Sequence, residues 1–97
     1  MEHATFVHNE ASKQFELHID DQIAFVEYYT EGKKIFLTHT ETPQSMQGKG
    51  IASELIRQTL QHIKKEHLVL VPLCAFVSHY IDSHPQWRSI LSEGYQM

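Results

Sequence analysis

One change of hydrophobic period constrains this chain more than any other feature, and it falls on a pair of glycines. Before it, Phe15, Leu17 and Ile19 alternate with Glu16, His18 and Asp20, the period of two expected of a strand with one buried face. After it, Ala52, Ile56, Thr59, Leu60 and Ile63 recur every three to four residues with Leu55 beside them, while Glu54, Arg57, Gln58, Gln61, Lys64 and Lys65 lie mostly opposite. That is the stripe of an amphipathic helix, over about residues 50–67. Between the two periods stand the loop Thr42-Pro43-Gln44-Ser45-Met46 and then Gln47-Gly48-Lys49-Gly50. Sheet first, helix second, and a glycine-rich junction between them exclude all-helical and all-β folds.

The flanks extend this plan. Residues 22–30 are rich in β-formers, and Asp20-Asp21 and Glu31-Gly32-Lys33 mark turns on either side, before Ile35-Phe36-Leu37-Thr38-His39-Thr40. Three strands on tight turns make an antiparallel meander, and residues 5–8 add a short edge strand. Residues 68–73 form an apolar run without alternation next to the helix, which predicts a central strand covered on both faces and a right-handed strand–helix–strand unit. Residues 75–83 predict a short helix with Phe76, Val77, Tyr80 and Ile81 inward, and Pro85 opens a last turn through Ile90. The expected architecture is α+β, a mixed sheet of antiparallel meander plus one central parallel pair, in a single domain over residues 1–97.

Charge and cysteine content narrow the function. Twelve acids against eight Lys and Arg give a formal charge of −4, which argues against a nucleic-acid partner held through its phosphates. The single cysteine, Cys74, has no internal disulfide partner, and the first residues lack the charge and apolar run of a signal peptide. The longest apolar stretch, residues 68–77, is about half a membrane span and contains Pro72. A reducing cytoplasm and no membrane partner are expected.

A loop that leaves a strand through Gln47-Gly48-Lys49-Gly50 and enters a helix gathers backbone N–H groups at the positive end of a helix dipole, where anions bind. Glycine at 48 and 50 permits positive φ and keeps side chains away from a phosphate, and Lys49 adds a charge at the rim. Two glycines that merely begin a helix are the plainer account. A Walker loop requires a longer glycine spacing, and a dinucleotide fingerprint requires Gly or Ala where Ser53 stands.

Gln47-Gly48-Lys49-Gly50-Ile51-Ala52 resembles the signature Gln/Arg-x-x-Gly-x-Gly/Ala of the GNAT superfamily of acyl-CoA N-acyltransferases. The surrounding segments His39-Thr40-Glu41, Pro72-Leu73-Cys74, Phe76-Val77, Tyr80-Ile81 and His84-Pro85 are similar to those of a small stand-alone subfamily. The likeness covers roughly residues 5–88. It implies acetyl-CoA as acetyl donor, its pyrophosphate held by Gln47, Gly48, Lys49, Gly50, Ile51 and Ala52. The pantetheine arm then lies in a gap between the strand ending near His39 and the one ending near Cys74, beside Thr38 and Thr40. The acceptor implied is a small-molecule or protein amine, with a non-catalytic acetyl-CoA-binding module as the alternative. Larger members continue into a Gly-Phe turn and two more strands; here His84-Pro85 stands instead. The acceptor site is therefore expected to be shallow, or completed by a homodimer mate or partner protein.

Acetyl transfer needs a base to keep the amine neutral and an acid for the departing thiolate. His39 and Glu41, two apart on one strand, share a face, and either serves as base; a histidine bonded to backbone and a solvated carboxylate are the competing accounts. Tyr80 falls near the family's thiolate-protonating tyrosine, with core packing as the alternative. Cys74 is either an acetyl-accepting nucleophile or a small residue lining the arm's tunnel, and lining is preferred because no basic residue adjoins it in sequence. No metal is expected: His62 and Glu66 are one turn apart, but no His-Glu-x-x-His element occurs. Trp87 and Arg88 are read as packing the tail.

Overall fold

The computed structural model describes residues 4–92. Four strands come first, β1 (Ala4–Asn9), β2 (Gln14–Ile19), β3 (Gln22–Glu31) and β4 (Lys34–Glu41). A 3-10 turn at Gln44–Met46 leads into α1 (Ile51–Lys65), β5 (Val69–Pro72), α2 (Ala75–Ser83) and a 3-10 helix at Pro85–Ile90. The hairpin turns are set by Asp20 (φ 56°) and Gly32 (φ 57°), the positive φ that tight hairpins demand. α1 is shorter at both ends than its periodicity suggests. Gly50 (φ 75°) and His67 (φ 57°) are left-handed, and a right-handed helix cannot run through either. No described helix is long and apolar enough to cross a membrane.

The sheet order is β1-β2-β3-β4-β5, antiparallel except for β4 and β5, which run parallel from Lys34↔Val69 to Leu37↔Pro72. The expected mixed sheet with one parallel pair is present, but that pair ends the sheet instead of occupying its centre. Beyond β5, among the described residues, Leu91 makes an isolated parallel bridge to Leu70. The expectation of cover on both faces holds at Leu70 on the packed face and at Val71, 8% exposed, on the other, and fails at Leu73, which is 53% exposed because the chain leaves the sheet after Pro72.

Opposed residues in a ladder share a face, so the register assigns the two sides. Phe15, Leu17, Ala24, Val26, Ile35, Leu37 and Leu70 point to one side and are essentially inaccessible, packed with Leu55, Ile56, Leu60 and Ile63 of α1 and Val77 and Ile81 of α2. Burial of each large aliphatic side chain contributes about 1.5–3 kcal/mol. The other face carries Val7, Glu16, Phe25 and Phe36, with Tyr29 stacked on Phe36 at 4.5 Å. None of these joins the core cluster, and Ile23 and Tyr29 are exposed. Glu16 is nonetheless buried there, under hydrogen bonds from Asn9, Gln14 and His18. Burial alone would raise its carboxyl; those bonds outweigh it and hold the group below the ordinary 4.5.

β4 is irregular at one point. Glu27 faces His39, whereas Tyr28 faces Leu37, so Thr38 is one residue too many, a β-bulge. Its hydroxyl donates to the Glu27 carbonyl at 3.2 Å. After the bulge Thr40, opposite Val26, shares the buried face with Leu37, while His39 and Glu41, opposite Glu27 and Phe25, occupy the bare face.

Candidate functional site

The junction between β4 and α1 bends back on itself through Gly48 (φ 79°) and Gly50 (φ 75°). A Cβ built on Gly48 would meet nothing within 4 Å, so backbone conformation and not space requires glycine there. Gly50 is the N-cap of α1 and offers no side-chain cap. Its carbonyl accepts the Glu54 N–H at 3.0 Å, which starts the helix. The N–H groups of Ile51, Ala52 and Ser53 precede any intrahelical acceptor, and no described hydrogen bond occupies them.

These residues open on a cavity of about 360 Å³ lined by Thr40, Thr42, Met46, Gln47, Gly48, Gly50, Ile51, Ala52, Ser53 and Phe76. Gln47 steadies the loop by donating from Nε2 to the Thr42 carbonyl at 3.3 Å, and Ser45 ties it to Gln22 of β3 at 2.7 Å. Thr42, Met46, Ser53 and Phe76 are additions that periodicity does not reveal. Phe76, expected to point inward with Val77, Tyr80 and Ile81, is 37% exposed. It sits at the margin of the α2 stripe, one position before Val77, and turns to the cavity.

Beside the cavity the parallel pair comes apart. The N–H groups of Leu73 and Cys74 both reach the Leu37 carbonyl at 3.0 Å, the last backbone link between the two segments. Past it β4 runs on against β3, while the other chain turns into α2 at Cys74, its N-cap. Side chains alone span the divergence, Thr40 Oγ1 and Cys74 Sγ lying 3.2 Å apart. Cys74 is partly buried.

Of the other residues singled out from sequence, His39 and Glu41 form a pair at 2.7 Å between Nε2 and Oε2, each side chain 56% exposed on the bare face. Thr38 is taken up by the bulge, and Lys49 lines a neighbouring depression with Asp20 and Asp21. Tyr80 lies on the inner side of α2, its ring stacked on His84 at 4.0 Å and its hydroxyl hydrogen-bonded by Trp87. Burial raises its pKa. Arg57, on the polar side of α1, is engaged by Glu54, with which it forms a double hydrogen bond. That bond holds the Glu54 carboxyl below its ordinary range. Among the described residues no group of three or more His, Cys, Asp or Glu is placed to hold a metal ion.

This arrangement, a left-handed glycine junction opening a helix beside two diverging parallel strands, agrees with comparison to known proteins. The GCN5-related N-acetyl-transferase profile matches residues 14–90. The chain belongs to that family. Within it, the chain is 26% identical over 81 residues to the protein NATD1 of Xenopus tropicalis, covering 80% of this chain and 74% of that one. The same identity holds for NATD1 of Homo sapiens, over 80% of this chain and 72% of that one. A GCN5-like protein from Staphylococcus aureus, solved in solution by NMR, superposes with a TM-score of 0.64 over 99% of this chain and 98% of that one, at 18% identity. That last likeness establishes the shared fold.

Proposed function

We propose that the chain binds acetyl-CoA and transfers its acetyl group to an amine. The observation that carries the reading is the first turn of α1, where three N–H groups without partners among the described residues face a cavity behind two left-handed glycines. A pyrophosphate suits that concentration of donors and positive dipole. The residues assigned to hold it are Gln47, Gly48, Gly50, Ile51 and Ala52, with Lys49 at the rim and Phe76 against the apolar part of the cofactor. Bound there, the thioester supplies the acetyl group. Thr40 and Cys74, at the divergence of β4 and β5, bound the path of the arm, and Thr38 anchors the strand behind it.

His39 and Glu41 lie across the sheet from the core, on the side open to an incoming amine. Their pair accepts the amine's proton, and the carboxylate orients the imidazole by its 2.7 Å contact. Cys74 lines the gap in this reading, and Tyr80, its hydroxyl engaged by Trp87, packs α2 against the C-terminal turn. A non-catalytic acetyl-CoA-binding module remains the second reading, because the His39–Glu41 pair is more than half exposed and no described element walls an acceptor site around it.

Calorimetry with acetyl-CoA and an amine-panel transfer assay test both readings. Gly48→Glu, which sets a carboxylate at the phosphate position, is expected to abolish binding while circular dichroism stays native. Glu41→Gln should keep binding and lose on the order of a hundredfold in rate, whereas Cys74→Ala should keep most activity. Undiminished affinity in Gly48→Glu overturns the loop assignment, and binding without transfer to any amine selects the module. A stoichiometric acetyl adduct on Cys74 that amine chases off would replace direct transfer by a covalent route.

A further inference from the structure

The two edges of the sheet are treated differently. On β5 the N–H groups of Val69 and Leu73 donate to Lys33 and Leu37 of the β4 side, so Leu70 and Pro72 direct their backbone outward. The Leu70 carbonyl accepts the Ser92 N–H at 2.8 Å, and Leu70 bridges Leu91. Pro72 has no N–H to give. That edge is closed to another strand.

Among the described residues β1 has no comparable protection. It is bonded to β2 along its whole length without a register slip, and no described hydrogen bond reaches its outer side. Ala4-Thr5-Phe6-Val7-His8-Asn9 contains no Lys, Arg, Asp or Glu, no proline and no glycine, and these, with bulges and covering loops, are what normally shield an edge. The strand is also held in place from behind. Phe6 stacks on Phe15 at 5.9 Å, and His8 stacks on Phe15 at 4.4 Å while its Nε2 meets the Tyr28 hydroxyl at 2.6 Å. Its outward backbone groups are therefore ordered before any partner arrives.

We propose that β1 is a self-association edge, at which two copies pair β1 with β1 antiparallel about a two-fold axis and form one sheet with five strands from each copy. Opposed residues share a face, so the axis must pass through a residue that meets itself. A register setting Phe6 against Val7 would turn the packed face of one copy onto the bare face of the other. Centring on Val7 sets Phe6 against His8 on the packed face and Thr5 against Asn9 on the bare face, ring against ring and polar against polar. A strand without Lys, Arg, Asp or Glu offers little to select a charged foreign partner, and under a two-fold it is its own complement. The contact lies at the far end of the sheet from the divergence of β4 and β5, so it stands or falls independently of the acetyl-CoA reading.

Sedimentation equilibrium on the full chain is expected to give twice the chain mass, shifting to the single mass in Val7→Lys, whose paired charges would meet across the axis. Thr5→Lys, at an exposed position of the same strand, serves if circular dichroism shows Val7→Lys unfolded. In a Cys74→Ser background, mild oxidation of Val7→Cys should give an interchain disulfide that Tyr29→Cys does not. A wild-type chain of single mass at every concentration overturns the proposal. So does a dimer that survives the folded lysine variant, or equal crosslinking at position 29, which would place the contact on the bare face.

Discussion

The two ends of α1 follow opposite rules. At its C-terminus the orphan carbonyls are taken up: Glu66, His67 and Leu68 donate their N–H groups to His62, Lys64 and Ile63 at 2.9–3.1 Å. The side chain of His62 packs there against the stacked rings of His8 and Phe15, with ring centroids 4.9 and 5.3 Å away. At its N-terminus Gly50 provides no cap, and three donors look into a cavity. A helix needs only one well-closed end and a buried stripe to stay folded. The buried stripe runs the length of α1, from Ile51 to Ile63, so packing holds the helix and its first turn can remain uncapped.

The largest expected effect comes from spoiling the open end. Gly50→Val places a β-branched residue at a left-handed φ, a strain of about 1–2 kcal/mol, and should reduce acetyl-CoA affinity on the order of a hundredfold, about 2.7 kcal/mol. Urea unfolding and calorimetry on the same sample separate the two; retained affinity would mean that the ends do not differ in role. The closed end should respond to acid instead. Burial, and then the neighbouring His8, lower the pKa of His62 from its ordinary 6.5, so the unfolded chain binds the proton more readily. Stability from this group is full above 6.5 and falls as pH drops toward the lowered value, with a slope of at most about 1.4 kcal/mol per pH unit for one proton. His62→Gln should flatten the unfolding midpoint between pH 7 and 5, and an unchanged slope would remove His62 from the account. The smallest effect is a gain. His67 holds φ 57° without being glycine, so His67→Gly should raise stability by about 0.5–1 kcal/mol in thermal unfolding. Glycine is then dispensable at neither residue of the open end and welcome at the closed one.

Much of this was legible because period and backbone chemistry act locally. The alternation at Phe15, Leu17 and Ile19 and the stripe through Ile56, Leu60 and Ile63 place β2 and α1, and glycine spacing marks where φ turns positive. Three features were not legible. One extra residue at Thr38 leaves no trace among β-formers, since a bulge is defined by its partner strand. Edge or centre for β5 depends on which strands pair with it, and an apolar run does not specify its neighbours. Thr42, Met46, Ser53 and Phe76 line the cavity through a loop and two helix starts, where no period orders side chains. The His39–Glu41 pair was legible as neighbours on one face, but which face required the register.

That register gives the bulge a consequence beyond local geometry. Were Thr38 paired in a regular ladder instead of bulged, it would stand opposite Glu27, His39 and Glu41 would follow Leu37 onto the packed side, and Thr40 would turn outward. A single bulged residue works like a change of reading frame, setting every later position of the strand on the surface opposite the one that strict alternation from Leu37 would give it. The side that His39 and Glu41 occupy is therefore decided by pairing and not by count: deleting Thr38 would restore a regular ladder with both still on the bare face, whereas keeping Thr38 and closing the bulge would bury an acid and an imidazole among aliphatic side chains.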